Sequence, residues 1–242
     1  MEYYPLFLDL RGTSCLIVGF GGVGARKLGT LLRCGAGSVT VLDPGTDERG
    51  FAERAGGSVP CGVRFEKRRF LPSDLDGMGL VFAVSSDKEE NSLVAALCRQ
   101  KGIPCNSATA PEEGTFVVPA SVRSGRLTLA VSTGGTSPAL ARAMREELED
   151  AAGARYAPYL ELMCALRPIL LKSGTPSGRA GIFRALAERG RRTRIMDILE
   201  RFDAGSSAAL LRSVLEECVP AAALDELEAQ TGTYSALRDS DV

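Results

Sequence analysis

Histidine is absent from this 242-residue chain, and its absence excludes several kinds of active site. Without imidazole the chain cannot build a Ser-His-Asp triad, a Cys-His nucleophile pair or a zinc site with histidine ligands. It also lacks the side chain that most often transfers protons near neutral pH. Any chemistry must therefore use carboxylates, hydroxyls, lysine, tyrosine, cysteine or a bound cofactor.

Long apolar runs are missing as well, since no stretch reaches the roughly 18 residues of a membrane span. The first residues, MEYYPLFLDLRG, have neither the basic start nor the apolar core of a signal peptide, so we expect a cytoplasmic protein. A net charge of −1 gives no indication of nucleic acid or a membrane surface as partner. The seven cysteines never form C-x-x-C, so we expect reduced thiols and no metal site.

The strongest positive signal is a glycine motif between two apolar runs. The run Cys15 to Val18 leads into GFGGVG, a G-x-G-x-x-G pattern that is followed by a helical stretch. Gly19 permits a tight turn, Gly21 lets a diphosphate approach the backbone, and Gly24 lets helix and strand pack closely. Free N–H groups in the first helical turn would then face the phosphates. A glycine-rich turn that binds nothing is the alternative interpretation.

An acidic residue completes the pattern. The second apolar run, Ser38 to Leu42, ends at Asp43, which lies 19 residues beyond Gly24. A carboxylate at this place accepts hydrogen bonds from an adenosine ribose, whereas a 2′-phosphate would meet a like charge. The predicted cofactor is therefore NAD rather than NADP.

Short apolar runs continue to alternate with helical patterns. Strands are predicted at Val63 to Phe65, Gly79 to Val84 and Ile103 to Asn106, with a helix from Asn91 to Gln100. This order predicts an α/β fold with a Rossmann-like parallel sheet, whose ligands lie at the carboxyl ends of the strands. The candidate cofactor-binding residues are Gly19, Gly21, Gly22, Val23, Gly24, Asp43, Pro44, Ser85 and Ser86.

The pattern changes after Gly114. Thr115 to Val122 and Leu127 to Ser132 predict a β-hairpin, and the loop TGGTS with Pro138 precedes a helix over 139–150. Ser137 is a natural N-cap for that helix, and the glycines before it suggest a second anion site. An ordinary loop and cap explains these residues equally well.

The remaining chain is predicted to be helical, with helices near 155–172, 179–190, 192–202, 207–217 and 221–230. Between Ser137 and Arg194 there are 11 Lys and Arg residues against 6 Asp and Glu. Solvated helix faces explain such an excess, and attraction of a polyanionic substrate explains it as well. The expected parts are a nucleotide-binding domain at 1–112, a dimerisation segment at 113–152 and a helical domain at 153–242.

Five segments together resemble one family in order and spacing: YYPLFLDLRG, CLIVGFGGVGARK, FAVSSDKEEN, CNSATAPEEGTFVVPASV and LAVSTGGTSPALARAMREELE. The chain resembles precorrin-2 dehydrogenase, the dehydrogenase/ferrochelatase portion of siroheme synthase, over about residues 3 to 150. No methyltransferase segment follows, so the resemblance implies the stand-alone form. It implies a homodimer that oxidises precorrin-2, a tetrapyrrole with eight carboxylates, to sirohydrochlorin with NAD; iron insertion follows in some members.

The resemblance also implies where the tetrapyrrole binds. Its carboxylates give a reason for the arginine excess and for the glycine-rich helix start. The candidate substrate-binding residues are Asn106, Ser132, Thr133, Gly134, Gly135, Ser137 and Arg142.

One departure from the family concerns its acid/base. The family has an Asn-x-x-Asp-x-Pro segment, whereas this chain has Thr109 in place of the aspartate. Threonine does not ionise near neutral pH, so it is no general base of comparable strength. Asp87, Glu112 and Glu113 are the nearest substitutes in sequence, although each also suits a surface or capping role. We therefore expect dehydrogenation without strong ferrochelatase activity; a bifunctional enzyme and a binding protein without turnover are the alternatives.

Overall fold

A computed structural model describes residues 3–172, 174–201, 206–232 and 234, and it divides the chain into two units, Met1–Val118 and Pro119–Val242. The three-part division predicted at residues 112 and 152 stays a prediction. One helix runs without interruption through residue 153.

The first unit contains a parallel sheet, as the alternating pattern predicted. Its strands are β1 (Ser14–Val18), β2 (Ser38–Leu42), β3 (Val63–Glu66), β4 (Leu80–Ala83) and β5 (Cys105–Ser107), in the order β3-β2-β1-β4-β5. Val18, the last residue of β1, is in register with Leu42 of β2 and Ala83 of β4. The strand order reverses between β1 and β4, which is where doubly wound sheets bind ligands.

The α-helices that cover this sheet, in the part of the first unit that the structure describes, are α1 (Gly22–Arg33), α2 (Glu48–Arg54) and α3 (Lys88–Lys101). Apolar side chains of α1 and α2 pack on one face, and those of α3 pack on the other. The sheet is thus buried on both faces, as its continuous apolar strands require.

Two helices of the first unit differ from the sequence interpretation. Helix α2 was not predicted, because its sequence ERGFAER is short and mostly charged; it is held by Phe51, which is fully buried. Helix α3 begins three residues earlier than predicted, because the Asp87 carboxylate accepts hydrogen bonds from the backbone N–H groups of Glu89 and Glu90.

The second unit begins with the predicted hairpin, but the predicted bounds of its first strand are wrong. The strands are β6 (Ala120–Ser124) and β7 (Leu127–Val131), antiparallel. Residues 115 and 116 are not part of β6, because their N–H groups donate to the carbonyl of Cys105 in the first unit's β5 segment. Pro119 precedes β6 and has no N–H to donate to a ladder.

The described residues after the hairpin form five helices, which bury a core of their own. They are α4 (Pro138–Lys172), α5 (Pro176–Ala187), α6 (Arg189–Glu200), α7 (Ser206–Glu216) and α8 (Ala221–Thr231). The helices predicted over 139–150 and 155–172 are one helix, α4. The helix predicted over 192–202 begins earlier, at Arg189, and residue 202 lies outside the described residues. Within the described ranges, no helix combines the length and apolarity needed to cross a bilayer.

The middle of α4 contacts the hairpin and the tail helices through neighbouring residues. A Cβ on Gly125 in the hairpin turn would lie 3.4 Å from the Cβ of Ala157. Arg126 forms an ion pair of 2.9 Å with Glu161. The hydroxyl of Tyr159 donates to the carbonyl oxygen of Leu186 in α5 at 3.1 Å.

Candidate functional site

The glycine turn has the tight geometry that its sequence predicted. Gly19 has φ +100°, and its N–H donates to the carbonyl of Leu42 at 2.8 Å. A Cβ on Gly19 would lie 2.4 Å from the Cα of Ser85, and one on Gly24 would lie 2.2 Å from the carbonyl oxygen of Gly19. Gly19 thus allows the loop after β4 to approach the turn, and Gly24 allows α1 to pack against it.

Gly21 faces open space. A Cβ at this position would meet nothing within 4 Å, and Gly21 is the N-cap of α1 without a side-chain cap. The first N–H groups of a helix have no partner within the helix, so those after Gly21 are available to an anion. Gly22 and Val23, which begin α1, are exposed. The turn therefore has the open geometry that a diphosphate-binding cradle requires.

Asp43 lies at the end of β2, beside this turn. Its Oδ2 accepts hydrogen bonds from the N–H of Phe20 at 3.3 Å and from the hydroxyl of Thr46 at 2.6 Å. Its Oδ1 accepts from the N–H of Gly45 at 3.1 Å. Pro44 is exposed. The carboxylate thus connects the second strand to the glycine turn.

Thr46 and Arg54 join the same group, and sequence reasoning missed both. Arg54 Nη1 donates to the carbonyl oxygen of Phe20 at 2.9 Å and to the hydroxyl of Thr46 at 3.0 Å. Arg54 is the last residue of α2. If that helix had been predicted from the sequence, Arg54 would have been a candidate for this site.

The loops after β4 and β5 meet at Asn91, which is fully buried in α3. The Asn91 side chain accepts from the N–H of Ser85 at 3.0 Å and donates to the carbonyl of Ser85 at 2.9 Å. It also donates to the hydroxyl of Thr109 at 3.1 Å. Thr109 therefore lies next to Ser85, on the edge of the sheet that carries the glycine turn, while Ser86 is exposed.

Asp87 serves as the N-cap of α3. Hydrogen bonds from the backbone of Glu90, together with the Arg69 guanidinium at 3.0 Å, hold the pKa of its carboxyl below the usual value. A carboxylate so engaged is a weak proton acceptor near neutral pH. The catalytic roles considered for Thr109 and Asp87 stay predictions.

The other acidic candidates lie elsewhere. Arg99, in the last turn of α3, donates to the carbonyl oxygens of Glu112 and Glu113. Helix α3 has 14 residues, and a helix of that length spans about 21 Å. The backbone of both glutamates therefore lies beside the side chain of Arg99, near the last turn of α3, whereas Asp87 caps its first turn.

Asn106 and Lys27 lie on the face of the sheet that carries α1. Asn106 Nδ2 donates to the carbonyl oxygen of Phe116 at 3.1 Å. The Lys27 ammonium lies 5.4 Å from the centroid of the Phe82 ring, and Phe82 is in register with Asn106. Burial, followed by the nearby charge of Arg26, lowers the pKa of Lys27 to about 8.

The remaining substrate candidates lie in the second unit, where they form one hydrogen-bonded loop. Thr133 Oγ1 donates to the carbonyl of Ser137 and accepts from its N–H, both at 3.1 Å. Ser132 Oγ accepts from the N–H of Gly134 at 3.2 Å, and Gly134 and Gly135 have φ +62° and +86°.

The loop leads directly into α4. The predicted N-cap is confirmed, since Ser137 Oγ accepts from the N–H of Leu140 at 3.3 Å. Arg142, one turn later, is exposed and pairs with Glu146 at 3.1 Å. Binding of a tetrapyrrole by this loop stays a prediction. Across the described residues of both units, no three Cys, Asp or Glu side chains are grouped so that they could hold a metal ion.

Two family models match the sequence. One, described as "Putative NAD(P)-binding", covers residues 6–120, and one described as "Sirohaem biosynthesis protein central" covers residues 124–151. Siroheme synthase of Methylococcus capsulatus is 37% identical over 180 residues, which are 74% of this chain and 37% of that protein. Siroheme synthase of Methylobacillus flagellatus is 40% identical over 156 residues, 64% of this chain and 32% of that protein. The chain thus spans about a third of the length of these curated relatives.

A solved structure described as "SirC, precorrin-2 dehydrogenase" aligns with 94% of this chain and 100% of its own, with a TM-score of 0.59 and 24% identity. At this identity the match establishes the fold alone. It confirms the predicted order of a parallel-sheet domain, a hairpin segment and a helical tail. The family models add that the first of these binds a nicotinamide dinucleotide, without distinguishing NAD from NADP.

Proposed function

We propose that this chain oxidises precorrin-2 to sirohydrochlorin with NAD. Its matches to the NAD(P)-binding model over residues 6–120 and to the sirohaem biosynthesis central model over residues 124–151, and its similarity to siroheme synthases, support this proposal. The observation that carries the proposal is the open cradle at Gly21, with Asp43 at the end of the neighbouring strand. The diphosphate would lie against the N–H groups at the start of α1. A 2′-phosphate would meet the Asp43 carboxylate, which favours NAD.

A bound nicotinamide supplies the hydride acceptor for this oxidation. The protein's part is to hold the substrate carbon near it and to let a proton leave. Thr109, fixed by Asn91 at the edge of the first unit's sheet, presents a hydroxyl that cannot ionise near neutral pH. With Asp87 held as an N-cap, we assign the proton to water and leave the Thr109 hydroxyl to orient that water.

The substrate's carboxylates require donors. In the second unit, Arg142 at the exposed start of α4 has a guanidinium, which is a suitable partner for carboxylates, and the loop 132–137 leads into that helix N-terminus. We propose a homodimer located in the cytoplasm; the exposed apolar side chains Leu140 and Met144, one turn apart on α4, suit a covered surface.

A non-catalytic tetrapyrrole- or NAD-binding protein is the second candidate, and Thr109 favours it because the family's acid/base is missing. Anaerobic incubation of the purified chain with precorrin-2 and NAD separates the two. Formation of sirohydrochlorin together with an equal amount of NADH supports the dehydrogenase. Tight binding of either ligand without turnover supports the second candidate, and binding of none of precorrin-2, NAD and NADP contradicts both.

A further inference from the structure

A closed set of hydrogen bonds joins the glycine turn, the end of β2 and the end of α2. Arg54 Nη1 donates to Phe20 O and to Thr46 Oγ1. Thr46 Oγ1 and the Phe20 N–H both donate to Asp43 Oδ2. Residues that are 34 positions apart in sequence are thereby held within one small circuit.

The direction of each bond follows from the donors available. Thr46 is buried, with 6% of its surface exposed, and its hydroxyl has a single proton. A guanidinium can only donate, so the Thr46 oxygen must accept from Arg54. Its proton is then available for Asp43, at 2.6 Å. Arg54 thus determines which way the Thr46 hydroxyl points.

The circuit also determines how the carboxylate is turned. Asp43 Oδ2 receives two donors, from Thr46 and from Phe20, whereas among the residues that the structure describes Oδ1 receives only the N–H of Gly45. A carboxylate oxygen has room for about two hydrogen bonds. Oδ1 is therefore the atom with capacity left for a further donor, such as a ribose hydroxyl.

We propose that Arg54 and Thr46 are positioning residues that set cofactor specificity, because they orient Asp43 so that Oδ1 receives the adenosine ribose. This inference rests on the proposed function. It assigns Arg54 to the support of NAD binding, and not to the binding of a 2′-phosphate.

The structure favours this role of Arg54 over phosphate binding. Both hydrogens of Nη1 are used, one on the glycine turn and one on Thr46. Helix α2 is fixed by its N-cap Asp47 and by Phe51, whose ring lies 4.5 Å from the rings of both Phe20 and Phe65. Arg54 also lies at the C-terminal end of α2, where the helix dipole favours a cation. The guanidinium is thus held by the turn and by its helix.

The test uses the full chain and compares Thr46→Val, which keeps the side-chain shape without the hydroxyl, with Thr46→Ser, which keeps the hydroxyl. Arg54→Met removes the donor to Thr46, and Arg49→Met, at an exposed position of the same helix, is the matched control. Dissociation constants for NAD and for NADP are measured by calorimetry. The melting temperature of each variant shows whether it is folded.

Loss of a hydrogen bond to a charged group corresponds to roughly tenfold in affinity. We expect Thr46→Val and Arg54→Met each to weaken NAD binding by about that factor, with a clearly smaller change for NADP. Thr46→Ser and Arg49→Met should resemble the parent. The double variant Thr46→Val/Arg54→Met should be no weaker than either single one, because both remove the same support.

Equal losses for NAD and NADP would show that the circuit only supports the turn, and would overturn the inference. A loss confined to NADP would identify Arg54 as a phosphate-binding residue and would overturn it as well. If Arg54→Met does not fold, the comparison of Thr46→Val with Thr46→Ser still decides. A parent chain that binds neither dinucleotide contradicts the proposed function itself, which is a separate result.

Discussion

Asn91 donates a hydrogen bond of 3.1 Å to the hydroxyl of Thr109, and so joins the loops that follow β4 and β5. The same buried amide bonds both backbone groups of Ser85. Replacement by alanine leaves these buried groups without partners, so we expect Asn91→Ala to lower the free energy of unfolding by about 2–3 kcal/mol. Denaturation by urea measures this change.

The control for Asn91 is Leu93→Ala on the same helix, whose side chain is 50% exposed. We expect it to change stability by less than about 0.5 kcal/mol. Equal stability of the Asn91 variant and the parent would show that the amide does not hold the two loops together.

Thr109 is the position at which a carboxylate can be restored. In Thr109→Asp, Asn91 would donate to the new carboxylate, which under the proposed function can accept the proton that leaves precorrin-2. A positioned general base contributes on the order of a hundredfold or more, so the dehydrogenase rate should rise by at least about tenfold. The assay is NADH formation from precorrin-2, and iron insertion into sirohydrochlorin is followed in parallel.

Thr109→Asn provides the comparison, because it has nearly the same shape as aspartate and cannot take a proton near neutral pH. It should leave both rates unchanged. If Thr109→Asp behaves like Thr109→Asn in both assays, the missing aspartate does not limit this protein.

The glycines of the turn should separate binding from folding. Gly21→Ala adds a methyl group into open space, so the melting temperature should change little, while the diphosphate loses its close approach and NAD binding weakens about tenfold or more. Gly24→Ala places a Cβ 2.2 Å from the carbonyl oxygen of Gly19, so it should lower the melting temperature. Calorimetry with NAD and thermal denaturation give the two readouts. A large drop in the melting temperature of Gly21→Ala would contradict the open geometry at that residue.

Lys27 should make stability depend on pH. Because burial lowers its pKa to about 8 in the folded protein, from 10.5, the folded state holds this proton less tightly than the unfolded chain does. Below the folded pKa both states are charged and the folded state bears the cost of a desolvated ammonium. As pH rises from about 8 towards 10.5, the folded lysine loses its proton first, and stability relative to a neutral variant increases.

Lys27→Met should therefore be more stable than the parent near neutral pH, and the difference should shrink above the folded pKa. Urea denaturation of both proteins near neutral pH and above the folded pKa measures this difference in stability. Lys88→Met, at an exposed position of α3, should show no such trend. A constant difference between Lys27→Met and the parent would mean that the ammonium is not desolvated.

The parts of the fold that local sequence determines were predictable. The glycine turn, the strands beside it and the N-cap at Ser137 depend on neighbouring residues, and their sequence signals are specific. The order of the remaining segments was predicted from the resemblance to the family. Helix α2 was missed because only one of its residues, Phe51, is buried, and a single apolar residue has no periodicity.

The details of the site depend on contacts between distant residues, which the sequence does not show. Arg54 reaches Phe20 across 34 positions, and Asn91 reaches Thr109 across 18. The start of β6 was misplaced for a similar reason, since residues 115 and 116 bond to Cys105 rather than to the hairpin. Which backbone group an N–H bonds to depends on the partners that the fold brings near it. A pattern of apolar residues does not show which of these partners it will bond.

Ala157, Tyr159 and Glu161 place the hairpin and α5 on the same short stretch of one helix. Pro158, within this stretch, has no N–H to donate to the preceding turn, so it is a point at which α4 can bend. Amide hydrogen exchange in β7 (Leu127–Val131) therefore reports whether a molecule that binds α5–α8 changes the hairpin through this stretch of α4. A truncation that removes α5 would therefore also remove a hydrogen-bond partner of the α4 segment that contacts the hairpin.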